Sequence, residues 1–548
     1  MRGRLFALAL STLVLASMSI AGAGTSGAST GPRVKQDAPA SANCKPVQKF
    51  SIKVKYDCML SSGGRMFFNG PSGSGQGNPA TATPTFGTNV DAADPNEDVA
   101  SGQSETAIAA NGSRVVATWN DASGFFVGPS TRLKASLTGV GYSSNGGAIF
   151  KDLVGLPNNN GAQQWFGDPT VVNVDPDHFI IASLYLPSFF TFDCGSKLAL
   201  AVSVMTIPPS GLPTFTMPII AANGGSPCNF SSGFLDKDFL SYDSVSRTLA
   251  MSYTNFKFNP PTNCGNGEID IVRATVPADP ATLTSADFSA PIVVGPEIGG
   301  NCNSFVVQEG AYPAVAPGGD IYVAWERNWI SNLFNGQPYA FIQAVYLPSG
   351  STTVAASVRA SLNQPGANQN GGFKSLVLTQ ITGYTRFIGN DFPRIAYDSV
   401  LGKVILEWNA ADLHPLGDIF LKAIAPGLAD NATAPVYQVN DDSDFTLHFL
   451  PAVSVRSDGA ICSSWYDRRL GGPSSTLTDY WGECRSAPGT NGADFRITTG
   501  STDWNGTGSI IDPNFGDYTD NTSSGLTTYY LWADGRIGVP NPFADSHT

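Results

Sequence analysis

A short hairpin that recurs seven times constrains this 548-residue chain more than any other feature. Its clearest copy runs from Glu309 to Glu326. Tyr312 to Ala316 is an apolar run, Pro317-Gly318-Gly319-Asp320 is a turn, and Ile321 to Trp325 is a second run of β-branched and aromatic residues. The Gly-Gly pair supplies the positive φ that a tight hairpin needs. Aligned on the residue that takes the place of Pro313, the copies are anchored at Thr106, Pro169, Phe239, Pro313, Pro393, Pro451 and Tyr518, roughly 58 to 80 residues apart. A fixed supersecondary unit with insertions of varying length is the mark of a radial repeat. The intervals exceed the roughly 40–45 residues of a WD40 blade, so each unit holds four strands and long loops. The sequence therefore predicts an all-β fold, a β-propeller of four-stranded antiparallel blades. Seven blades are expected, and six with one decorating hairpin is the alternative.

Closure is legible too. After the last hairpin only the residues beyond Trp532 remain, too few for two more strands and their loops. N-terminal strands should therefore complete the final blade and remove its open edge. Thr85-Phe-Gly-Thr-Asn-Val90 precedes the first hairpin much as Val436-Tyr-Gln-Val-Asn440 precedes the sixth, and it is expected as an outer strand.

Residues 1–23 read as a secretory signal, with Arg2 and Arg4, an apolar core from Leu5 to Ile20 and an Ala21-Gly-Ala23 cleavage site; an uncleaved anchor is the alternative. Residues 24–84 form a low-complexity lead-in around a Cys44–Cys58 segment, in which Lys49 to Tyr56 alternates like a strand. The propeller is expected over 85–548. Formal charge is −13, and −15 once Arg2 and Arg4 are removed, which argues against nucleic acid and anionic membranes. It suits an extracellular carbohydrate or cell-surface ligand. No later stretch is long enough for a membrane span. The eight cysteines of an exported chain read as disulfides, grouped by position as Cys44/Cys58, Cys194/Cys228, Cys264/Cys302 and Cys462/Cys484. Connectivity is open except that Cys462 and Cys484 fall on strands that should be neighbours. No C-x-x-C and only four histidines occur, so no zinc site is expected. The acidic loops Asp441-Asp-Ser-Asp444 and Asp94-Pro-Asn-Glu-Asp98 could take Ca²⁺ through oxygen ligands, though neither has EF-hand spacing.

In the first unit, Ser143-Ser-Asn-Gly-Gly-Ala-Ile-Phe150 resembles the Asp-box, Ser-x-Asp-x-Gly-x-Thr-Trp, with Asn145 for the Asp, Ile149 for the Thr and Phe150 for the Trp. With the seven hairpins, the chain resembles the Asp-box (BNR-repeat) β-propellers of the sialidase-like superfamily over residues 85–536. The resemblance implies a propeller with a glycan site. It carries over no catalytic residue by motif, because the Phe-Arg-Ile-Pro sequence of sialidases is missing and Asp391-Phe-Pro-Arg394 inverts it.

An antiparallel hairpin brings the start of its first strand beside the end of its second. Residues before the anchors and after the aromatic ends thus share one face of the ring. Before the anchors stand Glu105, Asp168, Asp238, Asp391 and Asp517, with Glu309 slightly earlier; after the aromatic ends stand Asp121, Glu326-Arg327, Asp467-Arg468-Arg469 and Asp534 with Arg536. Crowded carboxylates raise one another's pKa, and paired carboxylates or a tyrosine nucleophile cleave glycosides. Asp168, Asp517, Tyr518 and Glu309 are the catalytic candidates. Glu105, Asp238, Asp391, Arg327, Arg468 and Arg536 are the binding candidates, the arginines for a substrate carboxylate. The bland reading is that the same carboxylates cap strand starts in every blade. The expected function is recognition of an extracellular glycan at this acidic face, with glycoside hydrolysis as the activity if the protein is an enzyme. A non-catalytic binding or scaffold propeller is the alternative.

Overall fold

Seven antiparallel sheets surround one axis, each led by one of the seven hairpins. The computed structural model describes residues 47–49, 52–54, 89–93, 102–125, 136–187, 198–225, 233–257, 266–297, 305–330, 339–366, 368–370, 373–375, 379–385, 392–414, 416–442, 446–472 and 474–548. The signal segment, Cys44, Cys58, Cys194, Cys228, Cys264, Cys302, Asp391, Asp444 and the loop Asp94–Asp98 lie outside them.

Blade 1 comprises Gln103–Asn111, Arg114–Asp121, Thr138–Ser143 and Lys151–Asp152, paired in that order from axis to rim. Blade 3 (Phe234–Asp243, Thr248–Lys257, Asn266–Thr275, Ile292–Gly295) and blade 4 (Phe305–Val315, Ile321–Ile330, Tyr339–Leu347, Ala356–Arg359) repeat the plan. Blade 2 begins at Thr170–Asp175 and His178–Leu186, blade 5 at Arg394–Asp398 and Lys403–Ala410, and blade 6 at His448–Val455 and Ile461–Asp467. Blade 7 takes Asp520–Ser524, Thr527–Asp534 and Asn541–His547 from the C-terminus and Val90–Asp91 from the N-terminus as its outer strand. The ring is thus closed by strands from both ends of the chain, and Asn541 Nδ2 donates to Asp91 at 2.6 Å across the join. Seven blades, not six, is the outcome.

Strands here are apolar on both faces because each blade is packed on both sides. The described residues contain seven buried apolar clusters, each lying between two neighbouring blades. The tryptophans that end the second strands, Trp119, Trp325, Trp408, Trp465 and Trp532, are 0–2 % exposed and belong to these clusters. Burying about 200 Å² apiece, each contributes on the order of 5 kcal/mol of transfer free energy. They are packing residues and offer no stacking surface to a ligand.

Cys462 and Cys484 lie directly opposite on adjacent strands of blade 6 and are bonded. One sequence expectation is corrected. The single strand expected over Lys49–Tyr56 is a hairpin, Val47–Lys49 against Ile52–Val54. Alternation of period two is kept by both arms of a hairpin, so it could not tell one strand from two.

Candidate functional site

The inner strands do not run straight onto the acidic face. Just above the anchors the register slips between Ser104 and Ala107, Asp236 and Phe239, Glu309 and Tyr312, and Phe449 and Ala452. One residue near the inner-strand start is left-handed in six of the seven blades: Glu105, Asp168, Lys237 and Leu450 at φ of 50° to 55°, Gly310 at 66° and Gly516 at 76°. Such bulges re-aim side chains, and each non-glycine residue held there stores about 1–2 kcal/mol. Glycine is required at Gly516, where a Cβ would sit 2.4 Å from Glu105 Cγ.

The kinks turn a set of ionisable groups toward the axis. Glu105, Asp168, Asp236, Asp238, Glu309 and Asp517 are all 0–4 % exposed. Among them lies one cation that the sequence reading passed over. Lys237 Nζ is 2.6 Å from Asp517 and 3.9 Å from Glu309, and it sits 4.6 Å above the Phe392 ring. Lys237 stands between Asp236 and Asp238, and the bulge is what sends it inward. Asp517 also accepts from the Tyr384 hydroxyl at 3.1 Å, and its amide donates to Glu105 at 3.0 Å. Asn120 joins blades 1 and 2, donating to Glu105 at 2.5 Å and accepting the Asp168 amide at 2.6 Å.

Asp238 differs from its neighbours. Burial first, then the charge of Asp168, pushes its carboxyl well above the usual range, against a hydrogen bond from its own amide. Neither side-chain oxygen meets another hydrogen-bond partner among the described residues. A carboxyl whose charged form is disfavoured by burial therefore belongs to the same buried set as an ion-paired one, the kind of separation from which acid and base roles are made. Tyr518 lines the same space, 4 % exposed, and its hydroxyl donates to the Pro169 carbonyl at 3.0 Å. Burial and the charges of Glu105, Asp168 and Asp238 push it well above the usual phenol range.

Beneath this layer the axis is plugged. The Arg394 guanidinium lies 4.4 Å from the Tyr312 ring, 5.4 Å from Phe239 and 5.5 Å from Tyr518, and Nε donates to the Pro451 carbonyl. The gap left there is about 10 Å³, room for one water. On the far side of the plug a cavity of about 390 Å³ opens to the opposite face, with Asp520 in its wall at a pKa raised to about 6, chiefly by burial.

The arginines after the tryptophans divide. Arg536 pairs with Asp534 at 2.6 Å and bonds Thr499 and Asn89, which ties the rim of blade 7 to the N-terminal strand. Arg468 is turned inward. It is 2 % exposed, donates to Thr478, Ser475 and Thr382, and is pulled down to about 9 by burial. In this arrangement it presents no donor to a substrate carboxylate. Arg327 lies 5.3 Å from the Phe341 ring, with Arg359 at 4.6 Å from the same ring.

Blade 6 carries a second charged cluster, in which Asp442 of the acidic loop and Asp467, both singled out in the sequence, are brought by the fold to His448. His448 Nε2 is 2.9 Å from Asp442 and 3.3 Å from Asp467, while Nδ1 faces the Gly417 carbonyl. Asp442, His448 and Asp467 are the described residues that could together hold a metal ion. Their electrostatics are met from within, however. Arg469 reaches Asp467 at 2.7 Å, Asp494 at 2.6 Å and Asp442 at 3.4 Å. Burial would push His448 down, but Asp467 and Asp442 outweigh it and raise it to about 10. Two cations therefore already occupy the cluster.

No protein-family model matches the chain, and no curated protein matches it. Among solved structures, it is similar to an α-L-arabinofuranosidase of Fusarium graminearum, at 12 % identity, TM-score 0.41, and coverage of 85 % of this chain and 98 % of that one. An α-L-arabinanase of Penicillium chrysogenum matches at 13 % identity and TM-score 0.40, covering 70 % and 94 %. A Trypanosoma rangeli sialidase matches at 11 % and 0.36, covering 69 % and 53 %. These likenesses assign no family, substrate or residue role to the chain.

Proposed function

We propose that this is an exported sialidase-like β-propeller that recognises an extracellular glycan at its acidic face and cleaves a glycosidic bond there. The observation that supports hydrolysis is the presence of unlike carboxyls in one cluster: Asp238, whose pKa burial and Asp168 push well up, and Asp517, ion-paired with Lys237. Asp238 is the proton donor, and Asp168 and Asp517 are the carboxylates that face the developing positive charge on the sugar. Glu309 sets the field around Lys237, and Tyr518 forms the wall, since its hydroxyl is spent on Pro169.

A second reading, a binding propeller without catalysis, is favoured by a different observation. Every member of the cluster is under 5 % exposed. In that case the cluster closes the axis and the ligand rests on the loops above it.

The test is turnover of a panel of fluorogenic glycosides, arabinosides and sialosides included, by the purified protein and by Asp238→Asn. Turnover lost by about 10²–10⁴-fold in a variant that keeps its thermal midpoint supports the acid role. Turnover that persists in Asp238→Asn sinks the assignment. Saturable glycan binding without turnover on any substrate establishes the second reading in its place.

A further inference from the structure

On the opposite face of the ring, the boundary between blades 3 and 4 ends in a groove of about 550 Å³. Higher in this boundary, Ile269 and Ile271 of blade 3 pack against Ile321, Val323 and Val345 of blade 4. Arg273 is next in the same row of side chains, two residues beyond Ile271, where the apolar contact stops and the groove opens. Its guanidinium makes no hydrogen bond and no ion pair with any described residue, and Nη1 is buried. A buried donor left unmatched is unfavourable, so the position calls for an anion from outside.

Hydroxyls converge on the same groove. Gly319 has φ of +88°, and a Cβ there would lie 2.8 Å from Ser349 Oγ and 3.0 Å from Thr248 Oγ1. Glycine keeps open the space these two hydroxyls face, one from each blade. Neither hydroxyl is bonded to a described residue. The carboxylate at the rim, Asp287, is already engaged by the Thr284 amide and hydroxyl, both at 2.7 Å. Phe288 is the one aromatic wall.

We propose that this groove binds an acidic sugar. The planar guanidinium of Arg273 takes the carboxylate, and Thr248 and Ser349 take ring hydroxyls. The volume falls in the range of small-ligand sites. The proposal concerns the face away from the acidic axis and does not rest on hydrolysis.

Calorimetric titration of the full protein with D-glucuronate tests it, with D-glucose and inorganic phosphate as comparison probes. Saturable binding of glucuronate is expected. It should be at least tenfold tighter than either comparison probe, and at least tenfold weaker in Arg273→Gln at an unchanged thermal midpoint. Should Arg273→Gln fail to fold, Ser349→Ala carries the test, with a several-fold loss expected. Absence of glucuronate binding, equal affinity in the folded variants, or phosphate bound as tightly as glucuronate each overturns the assignment.

Discussion

Replacing Lys237 by Met removes the cation from the axial cluster and leaves the side-chain volume nearly unchanged. Lys237 is 1 % exposed, with Asp517 at 2.6 Å and Glu309 at 3.9 Å. Breaking a buried pair by removing one partner costs about 3–5 kcal/mol, because the surviving charge stays in low dielectric. Six carboxylates crowd this axis, so the upper half of that range is expected. Unfolding entropy of roughly 2.1 cal/mol/K per residue, over about 460 residues of propeller, gives about 1 kcal/mol per degree. The thermal midpoint should therefore fall by about 4–5 °C in scanning calorimetry at pH 7 and a fixed scan rate. Lys237→Met/Asp517→Asn removes both charges of the 2.6 Å pair and should recover more than half of the loss, since the penalty comes from burying the Asp517 charge without its lysine. A single variant within about 1 °C of wild type, or a double variant no better than the single, would refute the view that Lys237 neutralises the cluster.

Two further outcomes are expected. His448 is raised from 6.5 to about 10 in the fold, so its contribution is full below about pH 6.5 and is lost as pH rises through about 10; Asp442 is lowered from 3.8, so its contribution is present above about pH 4 and is lost on acidification. His448→Gln should thus lower the thermal midpoint most between about pH 4 and 6.5 and least near pH 10, and a pH-independent difference would show that His448 is not charged in the fold. Replacing Cys462 and Cys484 by Ala releases a 22-residue separation and should cost about 3 kcal/mol, seen as a lower urea midpoint at unchanged slope.

The seven-fold repeat, the closure of blade 7 by the N-terminal strand and the Cys462–Cys484 bond are all local or periodic facts, and the sequence by itself determined them. A hairpin is set by its own turn and alternation, and counting hairpins against the strands left over gives the closure. The sequence also determined which residues stand at the strand starts on one face, because register follows from the anchors. Only the tertiary structure decided what those residues experience. Glu105, Asp168, Asp238 and Asp517 come from four separate blades spread along most of the chain, and their burial depends on all of them meeting at one axis. Lys237 turns inward through a left-handed bulge that Asp-Lys-Asp does not encode. Arg468 and Arg469 are adjacent and chemically alike, yet one is sealed among carbonyls and hydroxyls and the other gathers four carboxylates. Alternation on a strand sends neighbours to opposite sides, and what waits on each side is supplied by distant parts of the chain. Solvation and charge pairing are sums over such long-range neighbours, so they are fixed only once the ring has closed.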